Sequence, residues 1–178
     1  MIETILVPIK HFYAKARFNL HDQLRNVLLE QIEQTPDDGT NPNITKVDWA
    51  YGLNSDREWY KTIKPHIEFY MNEMGKPAWY KEATVHDLWV QQYTKNDVHT
   101  WHVHGQQFVG VYYLEFDATT PKTQFVEPIS GNIYTIDVTE GDIIIFPSSL
   151  IHRAPVMQSD SRKTIISWNF NYDKPMAE

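Results

Sequence analysis

The hydrophobic period of this chain changes at about residue 84, and that change limits the fold more than any other feature of the sequence. Upstream, Leu20, Leu24, Val27, Leu28 and Ile32 recur at helical spacing behind Asn19, a suitable N-cap. The pattern dies in Thr35-Pro36-Asp37-Asp38-Gly39. A second helix is predicted from the capping box formed by Ser55 and Glu58. It buries Trp59, Ile63, Ile67, Tyr70, Met71 and Met74, is kinked by Pro65 and ends at Gly75. Downstream, residues 88–90, 108–116, 133–138, 143–146 and 165–171 are short β-rich runs separated by turn residues. Such even spacing predicts a barrel or jelly roll.

No repeat, low-complexity tract or long linker interrupts the 178 residues. The expectation is therefore one domain over 1–178, an α+β, mainly β unit with helical support over 1–83 and a β core over 84–173. The 24 aromatic residues suit strands and pocket walls. A formal charge of −7 argues against a nucleic-acid footprint, which needs a basic face. Residues 1–10 carry a short apolar run without a basic leader, and no stretch reaches the roughly eighteen apolar residues of a membrane span. The chain is read as soluble and cytoplasmic. Having no cysteine, it must hold any metal through nitrogen and oxygen.

The chemistry-bearing segment is His99-Thr100-Trp101-His102-Val103-His104-Gly105. Residues two apart on a strand share a face, so His102 and His104 form a preorganised pair, whereas His99 points the other way unless a bulge intervenes. His152 follows a buried strand at residues 142–146 and a Pro-Ser-Ser break, and an antiparallel partner strand would bring it beside the pair. Ten residues on, Arg162 opens a strand whose even positions put Arg162 and Thr164 on one face. An inward arginine is costly unless paired, and a bound dicarboxylate offers a bidentate partner.

With these residues the sequence resembles the Fe(II)/2-oxoglutarate-dependent oxygenase superfamily, and within it a bacterial and phage group with a His-x-His, a Val-Tyr-Tyr strand and a closing Arg-x-Ser/Thr strand. The resemblance covers roughly residues 88–171. It implies a double-stranded β-helix, the jelly-roll or cupin-like barrel, with Fe(II) held by His102, His104 and His152. It also implies 2-oxoglutarate as co-substrate, its distal carboxylate on Arg162 and Thr164, and O2 as the oxidant. Tyr93 and Tyr113 stand where related enzymes carry phenols that reach the co-substrate. The implied reaction is hydroxylation of a C–H bond in a peptide side chain or small metabolite.

The second ligand position departs from the usual pattern, which has a carboxylate where this chain has His104. Asp117 or Glu127 are the candidates to supply one from elsewhere. Two other readings stay open at this point. One is a cupin-type dioxygenase or isomerase that uses no 2-oxoglutarate, since Gly141, Pro147 and His152 nearly reproduce that family's second motif. The other is a non-catalytic jelly-roll binding domain. The Ser148-Ser149 pair lacks the elbow of a hydrolase nucleophile. An apolar helix face over residues 20–32 would also serve a homodimer.

Overall fold

The computed structural model describes residues 12–173, so the expectation for residues 1–10 lies outside the described residues. In chain order the elements are β1 (Ala14–Arg17), α1 (His21–Glu33), β2 (Lys46–Val47), α2 (Glu58–Gly75), β3 (Ala83–Tyr93), β4 (His99–His102), β5 (Phe108–Glu115), β6 (Gln124–Val126), β7 (Ile133–Thr135), β8 (Asp142–Pro147), β9 (His152–Ala154) and β10 (Lys163–Tyr172). A short 3-10 turn spans Trp49–Tyr51. The strands form a six-stranded sheet in the order β1-β8-β5-β10-β3-β2 and a four-stranded sheet in the order β4-β9-β6-β7, with antiparallel pairing throughout.

The large sheet is buried on both faces, which gives the molecule two cores. Towards the helices it presents Leu88 and Val90 of β3, Tyr112 and Leu114 of β5, and Ile166, Trp168 and Phe170 of β10. These pack on Leu28 and Ile32 of α1 and on Trp59, Ile63, Ile67 and Met71 of α2. Towards the small sheet it presents Tyr93, Val109, Val111, Tyr113, Ile144, Phe146 and Ile165, which pack with Phe125 of β6 and Ala154 of β9. At about 25 cal/mol per Å² of apolar surface, each large side chain so enclosed stabilises by roughly 1.5–3 kcal/mol before entropy is counted.

The helices form where the periodicity puts them, but their caps differ. Leu20 occupies the N-cap of α1 without a side-chain bond, because Asn19 Oδ1 instead accepts the Tyr70 hydroxyl at 3.0 Å, tying α1 to α2. Arg57, not Ser55, precedes α2, which runs on through Pro65 to Gly75. Leu24 and Leu29 of α1 pack against the chain's own core beside Leu28 and Ile32, while Val27 of the same apolar run is 43% exposed. Residue 83 is not a structural boundary, because β1 and β2 belong to the large sheet. Among the described residues no helix is long and apolar enough to cross a membrane.

Gly110 is required by contact. A Cβ built there would lie 2.0 Å from the indole of Trp168, its cross-strand partner. Gly110→Ala should therefore cost about 1–3 kcal/mol through overpacking. Gly105→Ala, with nothing within 4 Å of its Cβ, should stay within about 0.5 kcal/mol of the parent. Urea denaturation midpoints measure both.

Candidate metal centre

His102 and His152 are Cα partners across the β4–β9 ladder, which places their side chains on one face of the small sheet. His104 lies just past β4, with its backbone N–H donating to Ser148 O at 3.1 Å. Trp101 before His102 and Val103 between His102 and His104 are exposed, so the alternation read from the sequence holds through the turn. One ligand atom from each of the three histidines lies within 4.8 Å of the other two. His104 Nε2 and His152 Nε2 are 3.3 Å apart.

Two of the rings are oriented by backbone carbonyls. His102 Nδ1 lies 2.7 Å from Thr100 O and His152 Nδ1 lies 2.8 Å from Leu150 O. A carbonyl only accepts, so each Nδ1 carries the proton and each Nε2 keeps its lone pair for a cation. Burial pushes all three imidazoles down from their ordinary range, His104 to about 4 and His152 to about 3, with neighbouring histidines adding to the shift in those two. At neutral pH the cluster is uncharged. Three buried neutral nitrogen donors facing one another fit a borderline divalent transition metal such as Fe(II), Ni(II) or Zn(II).

His99 is nearer than parity alone predicts. A bulge separates it from His102 in the β4–β9 pairing, so both rings stack at 3.9 Å and line the same cleft. His99 Nδ1 takes the Gln91 amide N–H at 3.2 Å, and its atoms stand outside the converging set. Neither reserve carboxylate arrives. Asp117 accepts from Thr119 N and Oγ1 in its own exposed turn, and Glu127 accepts from Ile129 N and Ser130 N. Among the described residues the convergent set is three imidazoles without a carboxylate.

The expected orientation of Arg162 and Thr164 is reversed. Arg162 Nε donates to Glu115 at 2.8 Å and its Nη1 to Glu33 at 2.6 Å, while Thr164 Oγ1 donates to Glu115 at 2.7 Å. Both lie on the helix side of the large sheet, and it is the odd positions of β10, Ile165 and Ser167, that line the cleft. The reason is packing: Ile166, Trp168 and Phe170 fill the helical core and so fix the even positions on that side.

The inward cation is Lys163, which the sequence reading passed over for its neighbour. It is 1% exposed. Its Nζ donates to Pro121 O at 3.0 Å and lies 5.4 Å from the Tyr93 ring centroid, 5.9 Å from that of Tyr113 and 5.5 Å from that of Phe116. No salt bridge reaches it among the described residues, and burial pushes its ammonium down to about 7. The signal available in the sequence was the bulk at 166, 168 and 170, which assigns those positions to the larger core. Tyr93 and Tyr113 both belong to the core between the two sheets. Tyr93 lines a cleft shared with the histidines, and the Tyr113 hydroxyl lies 2.9 Å from Thr123 Oγ1. Burial raises both phenols.

No protein-family model matches the chain, and no curated protein sequence does. Solved structures do. The viral collagen prolyl hydroxylase vCPH of Paramecium Bursaria Chlorella virus-1, in its 2OG complex, matches with a TM-score of 0.63 over 91% of this chain and 96% of that one, at 15% identity. An oxidoreductase of the 2OG-Fe(II) oxygenase family from Burkholderia pseudomallei gives 0.69 over 89% and 83%, at 10% identity. HygX from Streptomyces hygroscopicus, with nickel and 2-oxoglutarate bound, gives 0.64 over 89% and 82%, at 8% identity. What this chain shares with them is the fold.

Removing a convergent imidazole should weaken metal binding by more than the about 10–100-fold typical of an outer-shell change. His102→Ala and His152→Ala are therefore expected to lose stoichiometric Co(II) in calorimetric titration. His99→Ala should keep it.

Proposed function

We propose that this protein is an Fe(II)- and 2-oxoglutarate-dependent oxygenase whose two sheets form the double-stranded β-helix of that superfamily, and that it hydroxylates a C–H bond of a peptide side chain or small molecule. The observation that carries this reading is a neutral three-histidine cluster in a cleft that Tyr93 also lines, with the buried Lys163, which has no acidic partner among the described residues, 5.4 Å from that same Tyr93 ring. The shared fold with 2OG-Fe(II) oxygenases supports it. Lys163 weighs against the cupin reading, which gives the buried ammonium no counter-charge.

His102, His104 and His152 hold the metal. Iron(II) bound there supplies O2 activation coupled to conversion of 2-oxoglutarate into succinate and CO2, and the oxygen atom delivered to the substrate. Because the three ligands are uncharged, the ion's full charge stays in the cleft and attracts a dianionic co-substrate. Lys163 binds the distal carboxylate of 2-oxoglutarate in place of Arg162, whose guanidinium is already shared between Glu33 and Glu115. Tyr93 and Tyr113 flank that end. Val109, Val111 and Ile165 line the cleft and keep water from the reacting region.

Lys163→Met should weaken 2-oxoglutarate at least about tenfold, or about 1.4 kcal/mol, with metal stoichiometry unchanged, while Arg162→Ala stays within about twofold. The readout is the visible charge-transfer band of the anaerobic Fe(II) protein as 2-oxoglutarate is added. Equal affinity in the Lys163 variant sinks this assignment.

The pH dependence has a definite sign. Lys163 must be protonated to pair with the carboxylate, and in the free protein it loses its proton above about 7. Below that value the lysine adds no pH dependence. Above it, binding takes up one proton, so the dissociation constant should rise by about tenfold per pH unit until the lysine of the complex itself titrates. Lys163→Met should flatten this profile.

A further inference from the structure

One group of polar side chains beside the histidines is not used by the chemistry above. Asp87 and Trp89 are two apart on β3 and so share its cleft-facing side. Asp87 is the cross-strand partner of Asn169 on β10, whose Nδ2 donates to Asp87 Oδ2 at 3.1 Å. Asn169 is 4% exposed, and its Oδ1 is buried without a hydrogen-bond partner. Asn169 follows Ile165 and Ser167 on the odd, inward positions of β10, so this orphan acceptor sits on the cleft side of the sheet. Asp87 makes no salt bridge among the described residues. Arg57 is close in the chain's fold, bonding Gly52 O and Leu88 O, but it is committed to Asp48 at 2.6 Å.

An aromatic wall stands next to this pair. Trp89 stacks on His104 at 5.9 Å on one side and on Trp49 at 6.0 Å on the other, both at 28°. Trp49 is 48% exposed, so the file of rings runs from a metal-ligating imidazole to the surface. The segment after Trp49 abuts Asp87, since a Cβ at Gly52 would lie 3.4 Å from Asp87 Cβ. A carboxylate without a salt bridge, an acceptor lacking a donor and an open indole face are complementary to one chemistry: a cation that also donates hydrogen bonds.

We propose that the substrate carries a cationic nitrogen group, an ammonium or a guanidinium, which pairs with Asp87, donates to Asn169 Oδ1 and lies against Trp49. This rests on the oxygenase reading of the cleft, and it names the substrate class of that site. The group binds at the β3–β10 end remote from Lys163, so co-substrate anion and substrate cation occupy opposite stretches of the same strand pair. The chain's excess of acidic over basic residues adds long-range attraction of the same sign.

The test uses full-length protein loaded with Ni(II) and 2-oxoglutarate, which holds the site without turnover. It is titrated with N-acetylarginine methylamide, N-acetyllysine methylamide and their neutral counterparts from citrulline and norleucine, and the indole N–H signals of Trp49 and Trp89 are followed by NMR. At least one cation should bind about tenfold or more tightly than its neutral counterpart. Asp87→Asn should abolish that preference and Asp87→Glu should restore part of it. Equal binding of charged and neutral probes, a preference that survives Asp87→Asn, or no saturation by either cation to about 10 mM overturns the proposal. If Ni(II) and 2-oxoglutarate bind but charge preference is lacking, only the substrate class falls. If the preference is present but 2-oxoglutarate does not bind, the oxygenase reading falls and a cation-binding cleft remains.

Discussion

Strands β3 and β10, 11 and 10 residues long, pair along nearly their whole length in the interior of the large sheet. The pleat sends their alternate side chains to opposite faces, and both faces are buried. This one constraint fixes which residues can do chemistry. Every even position from Leu88 to Phe170 on the two strands that enters a core does so against the helices. The odd positions are left to Trp89, Gln91, Tyr93, Ile165 and Ser167, which line the cleft with the histidines, and to Lys163, which lies over the Tyr93 ring. A slip of one residue in β10 would exchange Lys163 for Arg162 and drive Trp168 into the cleft.

The cleft is electrostatically incomplete by design of its neighbours. Three imidazoles are held neutral by burial, and the lysine loses affinity for its proton for the same reason. Each is poised for a partner of opposite character: electron-pair donors for a cation, an ammonium for an anion. Arg162 shows the contrast. Outside the cleft, the same local sequence places a guanidinium between two glutamates, and it braces α1 to β5 and β10 rather than waiting for a ligand.

Much of this was legible beforehand. The change of period separated helices from strands, and the His102, His104 and His152 set needed only the two-residue repeat and an antiparallel return. What was hidden depends on tertiary context. In Lys163-Thr164-Ile165-Ile166-Ser167-Trp168 both parities contain apolar residues, because both faces of the strand are covered, so alternation cannot say which side holds the cleft. The bulge that swings His99 alongside His102 leaves no mark in composition. Strands β1 and β2 are 4 and 2 residues long and too short for any period. Asn19 and Ser55 have the chemistry of caps, yet at Asn19 a tyrosine from another helix competed successfully for the same oxygen. Asp117 and Glu127 are absorbed by the backbone N–H groups of their own turns.

The two cores on opposite faces of one sheet separate folding from specificity. The apolar mass that α1 and α2 bury against β3, β5 and β10 shares no residue with the lining of the cleft. Substitutions at Leu28, Ile67 or Met71 can therefore raise or lower thermal tolerance while the reacting surface keeps its shape, relaxing the usual trade-off between robustness and activity. Conversely, Trp49 and Val103 lie exposed on connecting segments, where exchange of a side chain disturbs little beneath it. Such an arrangement lets descendants of one sequence diversify what they accept without renegotiating how they fold.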